Sequence, residues 1–519
     1  MENKEKDGDF ASLQDIAELS NGEALSFIGN LIDRSSDNSD FNGLKRGIQL
    51  CDQLRARELE AEHMVLSYYF EANGWEELRR MNRANEDLWE WDQQEYAKAI
   101  LVLRKARLLS ANTELDPHRK AQISTNLANA LSHVGRVVEA IAIYNDVLEE
   151  VDPFPMAQGN RGQGYHYYAQ RTHDSGHQFL LMRKAHEDLQ KTLKYQLHPS
   201  ATKVFKVVAE NILGFYGEKR LTQPFDLDHH SLGKEQEEID YRKWALDRTL
   251  FLTPLNELGA YTVAAIDTLV LPGITQPISE GPYYLGFFNQ MKQEYATARF
   301  SLYRGIMGFG NHYSDRGVKV INTLDYPVYS RWVEEIKTAF RVAYSIFDKV
   351  AYFLNHYFNL GIPERRVNFS NLWYKDRSRS KGVRDDIVSR NNIALQALYW
   401  VSKDIYEQTE DFQEVLEPEA RELANIRNHI EHKYLKVHEF NLGLPPEEDS
   451  PLKGLADTLA YSISQTELQQ KALRLLKMAR DTLIYLVQAV YIEEVTKVVR
   501  QKGLIVPMFL DKYDDEWKQ

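Results

Sequence analysis

Apolar positions recur along most of this chain at three- and four-residue intervals, the spacing of one buried face of an α-helix. Period-two alternation, the mark of a half-buried strand, is nearly absent, so the pattern predicts an all-α protein. The clearest paired unit runs from about Ile123 to Pro153. In it Leu127, Ala128 and Leu131 line one helix, Gly135 turns the chain, and Ala140, Tyr144 and Val147 line the next. Small residues at Ala128 and Ala140 let two helices approach closely, and the glycine supplies the turn.

The spacing of Ala140, Tyr144 and Val147 recurs upstream as Ala99, Leu103 and Ala106 and, more loosely, downstream as Gln178, Met182 and Ala185. Glu60–Gly74 reads as an earlier first helix. These residues resemble the tetratricopeptide repeat pattern over roughly residues 45–200. The resemblance implies stacked helical hairpins, which serve either as a scaffold or as a concave surface for a protein or nucleic-acid trigger. Residues 1–40, with SSDNSD at 35–40, read as a weakly ordered leader. The expected division is a leader at 1–40, helical repeats at 41–220, a helical linker at 221–289, a helical domain at 290–505 and a tail at 506–519. The linker contains the loop-like DLDHHSLGKEQEE and the Pro- and Gly-rich LPGITQPISEGP.

Beyond the linker, Val333, Ile336, Phe340, Ala343, Ile346, Val350 and Phe353 keep helical spacing over about Tyr329–Phe358, and Gly361 and Pro363 end the run. Further helices are expected at about Asn391–Gln408, Pro418–Phe440 and Thr466–Arg500. Four helices of this length suit a bundle. Between the first two lies a basic stretch, Lys375, Arg377, Arg379, Lys381 and Arg384, close to Arg365 and Arg366. It reads either as a solvated loop or as a flap for an RNA backbone. Trp373 and Tyr374 beside it could stack on bases or anchor the loop.

Composition narrows the class. The chain has 519 residues, enough for two or three domains, and one cysteine, Cys51, which excludes an internal disulfide framework. Its 63 Lys and Arg stand against 76 Asp and Glu, a net charge of −13. An acidic body argues against general packaging of nucleic acid, though not against a local basic cleft. The first ten residues lack the apolar core of a secretory signal, and the best apolar run, Leu483–Ile492, contains Gln488 and is too short to span a bilayer. The reading is a soluble, cytoplasmic protein.

The third bundle helix carries the chemistry. Its sequence ARELANIRNHIEHKYLKVHEF, residues 420–440, contains R-N-x-x-x-H at Arg427, Asn428 and His432. With 15 His in the chain the bare R-x-x-x-x-H spacing arises by chance. Arg161 to His166 repeats it, and Arg171 to His177 fits a looser version, but both lie among the repeats. Only the 427–432 copy has Asn after the Arg within a bundle helix. It resembles the HEPN superfamily, in the branch with N-terminal tetratricopeptide-like repeats. On a helix Arg427, Asn428 and His432 fall at roughly 0°, 100° and 140°, one broad face. RNA carries its own nucleophile, the 2′-hydroxyl. A histidine titrating near neutrality can move its proton, and an arginine can hold the phosphate. Asn428 can orient a phosphate oxygen or the His. The resemblance adds that such nucleases are metal-independent, pair two motifs across a homodimer and leave 2′,3′-cyclic phosphates.

Neighbouring residues offer alternatives. His429, His432 and His438 with Glu431 and Glu439 bring metal ligation to mind, but H-E-x-x-H and H-x-x-E-H both fail because Asn428 stands where a His is required. No metal or other cofactor is expected. His429 and Glu431 remain secondary site candidates. Tyr434 extends the motif to R-x-x-x-x-H-x-Y, which in related toxins receives an adenylyl group; as a helical residue near 340° it would instead pack beside Arg427. The reading is an RNA endonuclease effector in antiviral defence or a toxin-like stress response, sensed or restrained by the repeats. The alternatives are a non-catalytic adaptor and a nucleotide-binding regulator.

Overall fold

The computed structural model describes residues 15–82, 91–275, 281–406, 420–439, 457, 459–500, 510–512 and 515–518. The first 14 residues of the expected leader, the end of the expected third bundle helix at Phe440 and most of the expected tail lie outside them. Among the described residues the protein is helical apart from one small sheet. Contacts divide it into two units, residues 15–165 with 185–215, and residues 166–184, 216–406 and 420–518.

The first unit is built from α1 (Asn21–Asp37), α2 (Phe41–Arg55), α3 (Ala61–Asn82), α4 (Gln94–Ser110), α5 (Pro117–His133), α6 (Val137–Glu150), most of α7 (Pro155–Gln170), the end of α8 (Ser175–Thr192) and α9 (Pro199–Tyr216). From α1 to α6 each helix packs on the next, the adjacency of a helical array. Local chemistry starts several of them. Ser20 and Glu23 form a reciprocal capping box on α1, Asp40 caps α2, and Asp116 with Pro117 opens α5. Gly135, at φ 89°, makes the α5–α6 turn, and Leu127, Ala128, Leu131, Ala140, Tyr144 and Val147 are all buried as their spacing predicts. Residues 21–37, read as leader, instead form α1. Its Ile28 and Ile32 join Leu44, Ile48 and Leu54 in one apolar core. Close approach is enforced by Gly47, where a Cβ would stand 2.6 Å from Ile32 Cγ1.

The second unit contains α10 (Glu218–Thr222), α11 (Gln236–Asp247), α12 (Tyr283–Met307), α13 (Arg331–Tyr357), α14 (Asp385–Val388), α15 (Ile393–Tyr406), α16 (Ala420–His432) and α17 (Gln465–Arg500). Ser330 caps α13, and its apolar stripe, including Ile336, Phe340, Ala343, Ile346 and Val350, is fully buried. The helix packs on α12, α16 and α17, while α15 packs on α16 and α17. The bundle therefore has one more long helix than the sequence pattern indicated, and residue 290 falls inside α12 rather than at a boundary. Nor do residues 221–289 form a mere linker. Arg480 of α17, 2% exposed, pairs at 2.6 Å with Glu257 and donates to the carbonyls of Phe251 and Thr253.

One element differs in kind. The helix expected to run to Phe440 stops at His432, and Leu435–His438 form strand β1, parallel to β2 (Tyr461–Ser464). Val437 and Ile463, in register, are both buried, and Lys436 is held by Asp325 at 2.5 Å and Asp457 at 2.8 Å. Pairing with a strand more than twenty residues away overrides the local helical pattern. Burial opposes the Lys436 charge, but its two carboxylate partners outweigh that and raise its pKa.

Candidate functional site

The sequence motif sits on the last turns of α16, not near a helix start. Arg427 reaches into a pocket of about 420 Å³ whose other wall is a polar stripe on α13: Arg341, Tyr344, Ser345, Asp348, Lys349 and Tyr352. The stripe repeats every three or four residues on the side of α13 opposite its apolar face, so one amphipathic helix builds both the bundle core and the pocket wall. Arg427 lies over the Tyr344 ring, 5.3 Å from its centroid, and donates to Asn428 Oδ1 at 3.3 Å. Glu431, one turn along α16, lines the same pocket. Asp348 is the half-buried carboxylate there. Desolvation raises its pKa, while the Phe369 amide, 3.3 Å from Oδ1, and the Arg427 charge pull it down.

Asn428 and His432 are one turn apart on the neighbouring face of α16 and do not line this pocket. Asn428 is half-buried, and His432, the last residue of the helix, is exposed. The structure thus places Arg427 with Glu431 and sets His432 at the helix end facing solvent. His429 is turned away, with Nδ1 2.7 Å from the Asn425 carbonyl and its ring 5.1 Å from that of Tyr461. The expected packing of Tyr434 at 340° on the helix fails because the helix has already ended. Tyr434 is 38% exposed, with Lys436 over its ring at 5.5 Å.

The basic stretch carries less net charge than its sequence indicates. Lys375 pairs with Asp385 at 2.8 Å, Lys381 with Asp376 at 2.7 Å and Arg384 with Asp386 at 2.7 Å. Arg379 lies over Tyr374 at 5.7 Å, and Arg377 is exposed, as are Arg365 and Arg366. Exposed pairs of this kind are worth at most about 1 kcal/mol, so a polyanion can exchange with them. Trp373 and Tyr374 are anchors: both are buried, and the Trp373 indole donates to the Phe369 carbonyl at 2.8 Å. Of the two look-alike motifs, Arg161 is held by Asp188 at 2.7 Å and by Asn145, a structural tie.

Sequence reasoning missed Arg341, Asp348 and Lys349. Their signal was the polar half of the α13 pattern, visible only once the opposite half is known to be core. Among the described residues no group of three or more His, Cys, Asp or Glu converges on a metal-sized site, and no helix is long and apolar enough to cross a membrane.

A buried helical bundle with an Arg–Asn–x–x–x–His motif on one of its shorter helices defines a HEPN-type domain. Residues 275–493 match the family model described as LA2681-like HEPN, and this part of the chain is a HEPN domain, carried C-terminal to a helical array. The match begins ahead of α12 and so takes in the fifth long helix. No curated protein and no solved structure matches the chain.

Proposed function

We propose that the HEPN domain is a metal-independent RNA endonuclease whose site is built on Arg427, Asn428 and His432. The observation that carries this reading is the environment of Arg427. It stands in an open pocket with Arg341 and Lys349, three cations against the two carboxylates Asp348 and Glu431, a small local excess of positive charge on an acidic chain, with Lys349 also paired to Glu294. A phosphodiester held there meets Arg427, and His432 of a second copy, exposed at the end of α16, reaches its 2′-hydroxyl. In the reaction the 2′-oxygen attacks phosphorus and loses its proton to a histidine. The P–O5′ bond breaks, the 5′-oxygen takes a proton, and a 2′,3′-cyclic phosphate remains. Arg427 stabilises charge on the non-bridging oxygens.

Within one copy Arg427 and His432 occupy different faces of α16, which favours a site completed by a second copy, the homodimer expected of such nucleases. The helical array would then sense a trigger or restrain cleavage, in antiviral defence or a toxin-like stress response. The testing experiment is cleavage of total RNA and tRNA by the purified protein in EDTA, with end-group analysis of the products. Cleavage leaving 2′,3′-cyclic phosphates and abolished by His432→Ala supports the proposal. An inert protein in every oligomeric state supports the adaptor.

A further inference from the structure

A second polar cavity lies in the same unit, away from the HEPN motif, where the Arg171–His177 turn meets α17. It is small, about 30 Å³, and Arg171, His173, His177 and Gln488 line it together with Tyr168. Apolar residues, among them Leu269 and Val487, close the rest of the wall. The sequence singled out Arg171 and His177 as a loose copy of the nuclease spacing, and the nuclease reading leaves them unused.

Its polar groups are poorly satisfied. Gln488 is 2% exposed, yet neither its amide nitrogen nor its oxygen has a hydrogen-bond partner among the described residues. The Tyr168 hydroxyl, also buried, is unpartnered too, but the charges that act on it are Glu257, Arg480 and Asp481 rather than Arg171. A buried side-chain amide left unpaired costs about 1–3 kcal/mol, so a position of this kind is normally filled from outside the chain. No carboxylate among the described residues pairs with Arg171, whose guanidinium lies over the Tyr167 ring at 5.7 Å. Burial without a counter-ion lowers its pKa to about 10. The one acid in the lining, Asp174, is already occupied, since Oδ1 accepts from the His177 amide at 2.9 Å. Burial lowers the pKa of both His173 and His177; Asp174 opposes it, and Lys512 adds a smaller push in the same direction as burial.

We infer that this cavity binds a phosphoryl group, with Arg171 as the counter-charge and the Gln488 amide, His173 and His177 as hydrogen-bond donors. These groups come from three separate stretches around the cavity: the turn after α7, the start of α8 and α17. That arrangement suits a tetrahedral oxyanion better than a planar carboxylate. At about 30 Å³ the cavity has no room for a base or a sugar, so only a compact head group enters it. The source is either free phosphate or the terminal phosphate of a larger molecule whose remainder stays at the surface. The inference is independent of the nuclease reading.

The test is equilibrium dialysis of the full chain against radiolabelled inorganic phosphate and, separately, 5′-AMP, at constant ionic strength. Two variants accompany it. Arg171→Gln removes the charge. Gln488→Glu keeps the shape of the side chain but places a carboxylate in the cavity that Arg171 also lines, where it competes with a bound anion. Saturable binding of inorganic phosphate alone identifies free phosphate, and tighter binding of 5′-AMP identifies a phosphomonoester. Either supports the site if Gln488→Glu weakens it at least about tenfold. Urea denaturation of Gln488→Glu run beside the dialysis separates loss of binding from loss of fold. No binding by the unaltered protein, or binding that Gln488→Glu leaves unchanged, overturns the inference; in the first case the cavity holds ordered water only.

Discussion

Replacing His432 or Arg427 separates chemistry from folding more cleanly than most active-site substitutions do, because neither side chain carries much of the structure. His432 is exposed at the end of α16, and truncating a surface residue of this kind shifts stability by no more than about 0.5 kcal/mol. Arg427 has a ring contact with Tyr344 at 5.3 Å and a 3.3 Å hydrogen bond to Asn428. At a half-exposed site these sum to roughly 1–2 kcal/mol. The expected cost in catalysis is far larger. Loss of a general acid or base slows proton transfer about 10²–10⁴-fold, and loss of a donor to the developing oxyanion costs about 10²–10³-fold. The assay is single-turnover cleavage of tRNA in EDTA, run beside urea denaturation of each variant. Both variants should unfold within about 2 kcal/mol of the parent while losing at least about a hundredfold in rate. Arg427→Lys should recover only part, since an ammonium does not reproduce the two-pronged contact of a guanidinium with phosphate. The reasoning fails if the parent cleaves RNA and His432→Ala cleaves it equally fast.

Three further outcomes follow from burial and charge. Arg480→Met should lower stability by about 3–5 kcal/mol by urea denaturation, because it strands Glu257, 1% exposed, and two carbonyls; adding Glu257→Gln should restore part of the loss, and an additive double variant would contradict the pairing. Asp348 is held above its ordinary pKa of 3.8, so its charged form costs stability once pH exceeds the raised folded value; Asp348→Asn should raise Tm at pH 7.5 and bring no gain at pH 3, whereas a lower Tm at pH 7.5 would mean that attraction to Arg427 outweighs burial. His133 is depressed from 6.5 to about 4 by burial and then by Arg79, so the unfolded chain takes up its proton first and stability contributed by the neutral ring is lost as pH falls from 6.5 toward 4; His133→Leu should flatten the fall in Tm over that window, and an unchanged slope would sink the assignment.

Much of the fold could be read from spacing alone, and the parts that could not share a cause. The α5–α6 hairpin and the cores of α13 and α17 are written in local periodicity, which needs no knowledge of partners. Residues 435–438 were misread because β1 exists only through its pairing with Tyr461–Ser464, a contact the helical pattern of 420–440 does not encode. The role of α12 was hidden for a related reason: its partners are α13 and α17, and the Pro- and Gly-rich stretch before it looks like a boundary. At the site, Arg427 and His432 were legible as a motif, but their separation onto two faces was not. Arg341 and Asp348 carried no motif at all, and they become visible only when α13 is seen to turn its polar half toward α16.

That separation has a kinetic consequence. Five residues along a helix place Arg427 and His432 about 7.5 Å apart in rise and roughly 140° apart in direction. In-line cleavage needs the proton acceptor on the 2′-oxygen and the positive charge on oxygens of the same phosphate, all within about 3 Å. Arg427 is committed to the pocket beside Tyr344, so closing both contacts within one copy requires it to leave that ring. On the proposed reading a second copy docked at the end of α16 would supply the missing group without that rearrangement, and two such copies related by a twofold axis would complete each other. Activity per chain should therefore fall on dilution, in step with the loss of dimer measured by light scattering or analytical ultracentrifugation. It should also fall when active chains are mixed with an excess of the inactive Arg427→Ala, His432→Ala double variant, which sequesters them in dead pairs. Rates per chain that stay constant through dissociation, and that ignore the inactive partner, would place the whole reaction in one copy and require Arg427 to swing out of its pocket.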